Sequence, residues 1–397
     1  MKIVLVIDSW NKGNGCIVVT HTLAKELQDR GHEVSLVCTA GEEASNFNGT
    51  VNTVPGFYMP GVKEAMKNMK FLFGVGKKKV FRKAFEGADL VEILFPYFMA
   101  RNAVRVAKEM NIPVMGACHI QSQNMTGAMG KDNKSMDKFF NSWFNFELFN
   151  RVDAIHCPSE FAADLIKSKG SNSHFRVISN GIPREFVPME NPERPDSFGE
   201  NFVLMNVGRH AMEKNQETLI DALLKSKYKD KIKLLLCGKG ETTERLRERG
   251  KELPVEPMVR FISEEEKLLF LNTADLYIHS SGIELESRSC LEAIGCGLPC
   301  LIEDSPNSAA SQFALDDRFL FEGGNIEEMT ARIDYWYENR AELKELKKPA
   351  LESAEQYRID QTMDAKELLY KDVIKSHFHP NGILPKGEKI GPLLMKK

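Results

Sequence analysis

Residues 275–304 read DLYIHSSGIELESRSCLEAIGCGLPCLIED. The apolar run at 275–281 predicts a strand, and the helical segment after it ends at Gly295 and Gly297. A second apolar run, 298–304, predicts the next strand. A strand, a helix and a second strand in this order form the unit of a parallel sheet covered by helices. The stretch therefore predicts an α/β fold.

The same alternation of apolar runs and helical segments extends from this stretch over most of the chain. In the second half, apolar runs precede it at 201–208, 231–238 and 258–263. In the first half, such runs stand at 2–7, 33–38, 88–95, 113–119, 153–159 and 174–182. Strands that are apolar on both faces are typical of parallel sheets with helices on both sides. We therefore expect two doubly wound, Rossmann-like parallel-sheet domains.

A proline-rich stretch separates the two series of strands. Residues 183–200 contain four prolines and no sustained periodicity, which is typical of a linker. We therefore expect domains at 1–182 and 201–360, with a C-terminal helix and tail at 361–397 that packs back on the N-terminal domain. Because ligands bind beyond the carboxyl ends of parallel strands, two such domains facing one another predict a central cleft.

The composition indicates a folded protein without an obvious macromolecular partner. The 397 residues are 42% hydrophobic and 27% charged, with a formal net charge of -3, which argues against a disordered chain and a nucleic-acid binder. The first apolar run is too short for a secretory signal, and no run is long enough to span a membrane, so we expect a cytoplasmic protein. The eight cysteines lack paired metal-ligand spacing and are expected to be buried free thiols.

Glycines and cations follow two of the predicted strands. After the first strand, Gly13 and Gly15 flank Asn14. A nicotinamide-binding fingerprint would need a third glycine where Val18 stands, so a dehydrogenase is not favoured. Glycines at such a turn let a ligand approach the backbone and the helix N-terminus closely.

In the second half, Gly208, Arg209 and Lys214 lie where a strand passes into a helix. Two cations five residues apart around a turn suit a diphosphate, and the alternative is a solvated loop with chance charges. Gly238 ends the next strand, but a glycine there is common in α/β units and is weak evidence on its own.

Two carboxylates stand in the stretch that opened the argument. Glu284 and Glu292 have seven residues between them, and Ser287 or Ser289 is expected to cap the helix that carries Glu292. Carboxylates in these positions suit the hydroxyl groups of a sugar and a ribose. The alternative is that Glu284 is a surface charge and Glu292 pairs with a neighbour.

Taken together, these motifs resemble the retaining glycosyltransferases of family 4, which have the GT-B fold. The resemblance rests on NGI at 180–182, on GR…EK at 208–214, and on E-x7-E followed by A-x-x-x-G-x-P at 284–299, in that order along the chain. It implies an N-terminal acceptor-binding domain and a C-terminal domain for a nucleotide-sugar donor. It implies no cofactor, because the donor, UDP-glucose or UDP-galactose, is a substrate. It implies no metal site, because cations and helix dipoles take up the charge of the leaving diphosphate.

The resemblance also implies roles for single residues. It places Arg209 and Lys214 on the donor diphosphate, Glu284 near the donor sugar and Glu292 on the ribose. It places the remaining donor contacts at Gly13, Asn14, Gly15, Gly208, Gly238, Ile262 and Ser287. In the family an aromatic residue and a glycine usually stand where this chain has Glu286 and Ser287, so the sugar pocket departs from the pattern.

His119 ends a predicted strand and matches the family histidine close to the reacting sugar. Gln121, Gln123 and Asn124 follow it and offer groups that bind hydroxyls. The catalytic set implied by the resemblance is therefore His119, Glu284, Arg209 and Lys214.

Residues 63–83, KEAMKNMKFLFGVGKKKVFRK, hold eight cations against one anion. We expect this basic, amphipathic stretch to contact an anionic membrane, since polybasic segments are drawn to anionic lipid and no nucleic-acid-binding module is visible. The alternative is a solvated helix whose apolar side packs on the core. The predicted membrane contacts are Lys63, Lys67, Lys70, Phe71, Phe73, Lys77, Lys78, Lys79, Arg82 and Lys83.

Within family 4, the stretches HIQSQN, IHCPSEF and ELESRSCLEA resemble a bacterial subgroup that transfers glucose or galactose to diacylglycerol, ceramide or related lipids. That subgroup commonly has Pro-Glu-Asn where this chain has Ser122-Gln123-Asn124. The resemblance implies a nucleotide sugar and a lipid as substrates, and an enzyme on the inner face of the cell membrane. A soluble or polyprenyl-linked saccharide acceptor, a nucleotide-sugar epimerase and an inactive binding protein stay open as alternatives. The sequence does not fix the oligomeric state.

Overall fold

The computed structural model describes residues 1–11, 15–60, 63–68, 70–128, 134–378 and 389–390. The chain divides into two compact units. Unit 1 consists of Met1–Asn180 together with the chain from Asp360 onward, and unit 2 is Gly181–Ile359. Each unit has its own parallel sheet, as the sequence predicts.

The elements alternate between strands and helices along most of the chain. The strands are β1 (Lys2–Val6), β2 (Glu33–Thr39), β3 (Thr50–Val54), β4 (Gly56–Phe57), β5 (Phe73–Gly74), β6 (Leu90–Ile93), β7 (Val114–Ala117), β8 (Ala154–Cys157), β9 (Phe175–Val177), β10 (Phe202–Val207), β11 (Ile232–Cys237), β12 (Met258–Arg260), β13 (Leu276–His279), β14 (Cys300–Asp304), β15 (Leu320–Glu322) and β16 (Lys389–Ile390). The helices are α1 (Gly15–Asp29), α2 (Glu42–Ser45), α3 (Lys63–Asn68), α4 (Lys78–Ala84), α5 (Ala100–Glu109), α6 (Ser122–Ala128), α7 (Lys134–Phe144), α8 (Glu160–Ser168), α9 (Gln216–Lys225), α10 (Thr243–Gly250), α11 (Glu264–Thr273), α12 (Arg288–Gly295), α13 (Ile326–Glu338), α14 (Arg340–Glu345), α15 (Lys347–Ala354) and α16 (Ile359–Phe378). A π-helical segment, Asn145–Phe149, continues α7.

Both sheets reverse their strand order at one point. The sheet of unit 1 runs β16-β9-β8-β7-β6-β1-β2-β3, so its order reverses between β1 and β6. The sheet of unit 2 runs β12-β11-β10-β13-β14-β15 and reverses between β10 and β13. Loops leave such a point in opposite directions and open a crevice at the carboxyl ends of the strands. The residues after β1, β6, β10 and β13 therefore hold the favoured positions for a ligand.

Both faces of the sheet in unit 2 are covered. Along β10, Val203 and Met205 enter one apolar cluster, whereas Phe202 and Leu204 enter another. Successive side chains of a strand point to opposite faces, so the two clusters lie on opposite sides of the sheet. This is the arrangement that the fully apolar strands predict.

The C-terminal helix α16 belongs to unit 1 from Asp360 onward. Lys366 of this helix lies 2.7 Å from Glu92 of β6, measured from Nζ to Oε1. The Tyr370 hydroxyl donates to the other oxygen of Glu92 at 2.6 Å. All three side chains are buried. A buried ion pair with a third hydrogen-bonding partner thus fixes α16 against the sheet.

Candidate active site

The loops after β10 and β11 pack backbone against backbone. A Cβ atom on Gly238 would lie 1.8 Å from the carbonyl oxygen of Gly208, and a Cβ on Gly240 would lie 2.1 Å from that of His210. Real atoms do not approach so closely, so only glycine fits at 238 and 240 without moving the neighbouring loop. These glycines bring the loop that carries Arg209 beside the next strand end.

Lys214 and Glu284 meet at the point where the strand order of unit 2 reverses. Lys214 ends a 3-10 turn after β10, and Glu284 lies in the loop after β13. Lys214 Nζ is 2.5 Å from Glu284 Oε1 and 3.3 Å from Ser281 Oγ. The side chains are 25% and 16% exposed. The structure therefore brings together the cation and the carboxylate that the motifs single out, and leaves both partly accessible.

Arg209 precedes this turn in the same loop. Its guanidinium forms an ion pair with Glu213, and its side chain is 37% exposed. Arg209 and Lys214 thus pair with different carboxylates, although they lie in one loop.

The position of Lys214 is set by groups that the motifs did not include. Ser280 Oγ donates to the carbonyl oxygen of Lys214 at 2.8 Å. Asn215 has a left-handed backbone with a φ of 51°, which turns the chain sharply into α9. Gln216 Nε2 donates to the carbonyl oxygen of Arg209 at 3.0 Å. Ser280 and Gln216 are buried, so the backbone of the turn is fixed by hydrogen bonds from the protein interior. The side chains of Arg209 and Lys214 stay partly exposed.

Glu284 is ionised in this setting. Burial alone would raise the pKa of Glu284, but the charges of Lys214 and His279 and hydrogen bonds from Lys214 and Ser281 lower it below its ordinary value. His279 Nε2 lies 3.6 Å from Glu284 Oε1. His279 is a buried strand residue that sequence reasoning missed, because nothing in an apolar run marks which of its residues meets a later carboxylate.

Ser287 caps helix α12, so the structure selects it over Ser289. The backbone N–H of Cys290 donates to Ser287 Oγ at 3.4 Å. Glu292 stands in the second turn of α12 and is 2% exposed. Its two oxygens lie 2.7 Å from Arg288 Nε and 3.0 Å from Lys267 Nζ. Glu292 is therefore a buried carboxylate between two cations. The alternative interpretation of the sequence, in which Glu292 pairs with a neighbouring residue, agrees with these contacts.

Ile262 lies two residues after the end of β12. Its side chain is 6% exposed and belongs to an apolar cluster of unit 2. A donor contact at Ile262 would therefore involve its backbone, and it stays a prediction.

In unit 1, His119 lies two residues after the end of β7 and is 7% exposed. Cys16 of α1 donates from Sγ to the carbonyl oxygen of His119 at 3.0 Å. The start of α1 and His119 therefore lie together. Burial, with a smaller effect from Lys366, lowers the pKa of His119 to about 3, so its imidazole is neutral. Gly15 begins α1, and the predicted contacts Gly13 and Asn14 lie outside the described residues.

Asp8 in unit 1 is a further group that the motifs did not single out, as His279 is in unit 2. It lies after β1, is 1% exposed, and accepts a hydrogen bond from the backbone N–H of Gly74 at 2.8 Å. Burial raises its pKa from 3.8 to about 7, although the hydrogen bond from Gly74 acts in the opposite direction. The sequence signal was a polar residue at the end of a wholly apolar run.

The basic segment 63–83 is not one amphipathic helix. It forms α3, β5 and α4, and its eight cations are exposed. Phe71 and Phe73 are only 7% and 3% exposed, and both pack against Tyr97. The expectation that Phe71 and Phe73 contact lipid is therefore wrong in this conformation, because the aromatic core of unit 1 covers them. The exposed cations stay a prediction for membrane contact.

The cysteine prediction is confirmed. All eight cysteines are free, and all except Cys16 are buried. Within the described ranges, no group of three or more His, Cys, Asp or Glu side chains is arranged to hold a metal ion.

None of the helices in the described part of the chain combines the length and apolar character needed to cross a bilayer.

Comparison with known families assigns most of the chain. Residues 13–186 match the family described as Glycosyltransferase Family 4, and residues 189–353 match the family described as Glycosyl transferases group 1. The boundary between the two matches lies at the start of unit 2.

Two relatives are both named alpha-monoglucosyldiacylglycerol synthase. The protein of Streptococcus pneumoniae is 26% identical over 330 residues, which cover 77% of this chain and 72% of the relative. The protein of Acholeplasma laidlawii is 22% identical over 386 residues, which cover 91% of this chain and 94% of the relative.

Solved structures show the same fold. The Anabaena protein HepE in complex with UDP-glucose is similar with a TM-score of 0.71 at 17% identity, over 94% of this chain and 100% of that chain. Sucrose-phosphate synthase from Thermosynechococcus elongatus is similar with a TM-score of 0.73 at 14% identity, over 95% and 100%. The two parallel-sheet units are thus those of the GT-B fold. The chain belongs to the family 4 glycosyltransferases, and it resembles those that glycosylate lipids.

Proposed function

We propose that this glycosyltransferase moves glucose or galactose from a UDP-sugar to a hydroxyl group of a membrane lipid, such as diacylglycerol or ceramide, and retains the configuration of the sugar. The observation that carries the proposal is the contact between Lys214 and Glu284 at the strand ends of unit 2. The lipid acceptor is supported by the two relatives, whose name describes the synthesis of a glucosylated diacylglycerol.

Lys214 and Arg209 are assigned to the donor diphosphate. Both cations pair with carboxylates here, Lys214 with Glu284 and Arg209 with Glu213. A diphosphate carries more negative charge than one carboxylate, so it competes well for both groups. The N-terminus of α12, with Gly208 and Gly238 at the strand ends, supplies backbone groups for close approach. Gly13, Asn14 and Gly15 stay predicted donor contacts.

Glu284 and Glu292 are assigned to hydroxyl groups of the donor. Glu284, released from Lys214 by the diphosphate, is free to accept hydrogen bonds from the sugar. Glu292 is assigned to the ribose, with Arg288 and Lys267 holding its carboxylate in place. Ser287 caps the N-terminus of α12, the helix that carries Glu292. UDP is the proposed nucleotide because the same fold holds UDP-glucose in the Anabaena protein.

The proposed chemistry places charge on the leaving diphosphate. The anomeric C–O bond breaks through an oxocarbenium-like state, and the electron pair goes to the phosphate oxygen. The lipid hydroxyl attacks from the same face and gives its proton to that oxygen, so the new C–O bond has the original configuration. Arg209 and Lys214 stabilise the developing charge without a metal ion. The neutral imidazole of His119 can donate to or accept from a sugar hydroxyl.

The lipid acceptor rests on the names of the same relatives, and the membrane location rests on the exposed cations of the basic segment. We place the enzyme on the cytoplasmic face of the membrane, held by the exposed cations of 63–83. Anionic lipid attracts such cations by about 1 kcal/mol each near the surface.

The test is a panel of UDP-glucose, UDP-galactose and other nucleotide sugars against diacylglycerol, ceramide and a bacterial lipid extract, read by mass spectrometry with and without EDTA. We expect one hexose to be added to a lipid in either condition. Transfer to a soluble or polyprenyl-linked saccharide alone, epimerisation of the donor alone, or no chemistry at all would each contradict the proposal. Lys225→Gln, an exposed cation of unit 2, is the matched control for Lys214→Gln.

A further inference from the structure

A groove of about 760 Å³ runs along helix α5 of unit 1, and none of its lining residues is assigned to the reaction. Three of its lining cations, Arg101, Arg105 and Lys108, recur at positions i, i+4 and i+7 of α5, so they share one face of the helix. Arg151, after the π-helical segment, lines the same groove. Four cations from two parts of the chain therefore converge on one concave surface.

The acidic residues of the groove do not balance this charge. Glu109 lies within ion-pair distance of Lys78, Arg82 and Arg105 at once, so three cations share one carboxylate. Lys108 has no carboxylate within ion-pair distance among the described residues.

The other carboxylate, Glu147, is partly withdrawn from solvent. Burial raises its pKa even though Arg101 and Arg151 lie nearby. With four cations against two carboxylates among its lining residues, the groove carries a net positive charge. Lys78 and Arg82, which belong to the basic segment 63–83, lie beside the groove through their contacts with Glu109.

Exposed aromatic rings border these cations. Phe146 is 48% exposed, and the guanidinium groups of Arg101 and Arg151 lie 4.5 and 4.8 Å from its ring centre. Phe98 lines the groove and is 40% exposed. It contacts Trp143, and Phe139, one turn before Trp143 on α7, is 65% exposed. Aromatic rings beside cations are typical of surfaces that lie at the level of lipid head groups.

We propose that this groove binds the phosphate-bearing head group of an anionic phospholipid in the bilayer on which the enzyme works. Arginine forks match phosphate oxygens, and the volume of the groove fits a head group rather than a bare phosphate. The exposed rings favour a bilayer over a soluble anion, since they enter the interface as the cations reach the head groups. The basic segment supplies charge, whereas the α5 groove supplies a shaped site.

The inference rests on the proposed function for its purpose, but its test needs neither donor nor acceptor. The variant R101Q/R105Q/K108Q removes three groove cations. The matched control K227Q/K229Q/K348Q removes three exposed cations of unit 2. Binding is measured by sedimentation with phosphatidylcholine vesicles that contain phosphatidylglycerol, and with vesicles in which oleate supplies the same charge. Circular dichroism confirms that both variants are folded.

We expect the groove variant to lose roughly fivefold in vesicle affinity per cation, on the order of a hundredfold in all, and the control to bind as the unchanged protein does. We also expect the unchanged protein to prefer phosphatidylglycerol to oleate, and this preference to vanish in the groove variant. Equal binding by the groove variant and the control overturns the inference. Displacement of the protein from vesicles by soluble glycerol phosphate or by a short oligonucleotide also overturns it, because the groove would then take a soluble anion or nucleic acid.

Transfer of hexose by the unchanged protein to detergent-dispersed diacylglycerol tests the proposed function separately. If no glycolipid forms and the groove variant still loses phosphatidylglycerol binding, the proposed function fails and the head-group site stands. If glycolipid forms and the groove variant binds vesicles normally, only the head-group site fails.

Discussion

Unit 1 contains the pair Lys366–Glu92 and unit 2 contains the pair Lys214–Glu284, and these two pairs differ in what surrounds them. In unit 1, Lys366 and Glu92 are 3% and 0% exposed, and Tyr370 takes the remaining carboxylate oxygen. In unit 2, Lys214 and Glu284 are 25% and 16% exposed and stand at the ends of strands. One pair is sealed between a helix and a sheet, whereas the other can exchange its partner for a ligand.

On our proposal, the Lys366–Glu92 pair is structural and the Lys214–Glu284 pair binds the donor. A sealed pair costs desolvation energy that its partners offset only while all of them are present, so losing one member mainly lowers stability. A partly open pair has less desolvation to offset, so losing one member mainly lowers ligand binding. The following predictions test that division.

The largest effect is expected for Lys366→Met. It leaves Glu92 buried without a cation, which should destabilise the contact of α16 with the sheet by about 3–5 kcal/mol. Hydrogen exchange of the amides of α16 and β6 measures this opening free energy. The double variant E92Q/K366M should recover most of the loss, because no unpaired charge is left. A full loss in the double variant would show that packing, not charge, accounts for it.

The next effect is expected for Lys214→Gln. Hexose transfer should fall by about 10²–10³-fold, because the leaving diphosphate loses a charged donor. The melting temperature should change little, since Glu284 stays accessible to water. Lys225→Gln should keep full transfer. A large fall in melting temperature with unchanged transfer would place this pair in the same structural class as Lys366 and Glu92.

Asp8 extends the comparison to a buried carboxylate that has no ion pair among the described residues. Its pKa rises from 3.8 to about 7, so the folded state binds a proton that the unfolded state has lost at intermediate pH. This contribution to stability is full below pH 3.8 and is lost as the pH rises through 7.

Asp8→Asn removes that dependence and keeps the acceptor for Gly74. It should therefore stabilise the protein more at pH 8 than at pH 5, by on the order of 2–3 kcal/mol. Chemical denaturation at the two pH values measures the difference, with the exposed Asp29→Asn as control. An equal effect at both values would argue against a buried, protonated Asp8.

The smallest effect is expected for Gly238→Ala. Its Cβ would lie 1.8 Å from the Gly208 carbonyl oxygen, so the two loops must separate at a cost of roughly 1–3 kcal/mol. Gly208→Ala meets only Gln216, at 3.8 Å, and should be nearly neutral for stability. Thermal melting of the two variants compares them directly. Equal melting temperatures would mean that the loops adapt without strain.

The sequence predicted the two parallel sheets and named Lys214 and Glu284 as candidate site residues of unit 2, but it did not predict the ion pair between them. Motif spacing was enough to single out Lys214 and Glu284, because both follow strands whose carboxyl ends must share one edge. Ser280, which holds the Lys214 carbonyl, was not predictable, since a serine at a strand end has many possible partners. The contact exists only because β13 lies beside β10.

Residues 63–83 show where pattern reasoning fails. Cations interleaved with phenylalanines describe a membrane surface and a core-facing segment equally well. Tyr97 and the other rings that cover Phe71 and Phe73 come from distant parts of the sequence. The groove on α5 was also not predictable from the sequence, because Arg151 comes close to Arg101 and Arg105 only in the folded chain.

The most direct test of the account is calorimetric titration of UDP into the unchanged protein, Lys214→Gln and Lys366→Met, at a temperature where all three are folded. The account predicts that Lys214→Gln weakens UDP binding by about tenfold to a hundredfold, as expected for a lost hydrogen bond to a charged group. It predicts unchanged UDP affinity for Lys366→Met. Wild-type affinity in Lys214→Gln would contradict the assignment of the Lys214–Glu284 pair to the donor site.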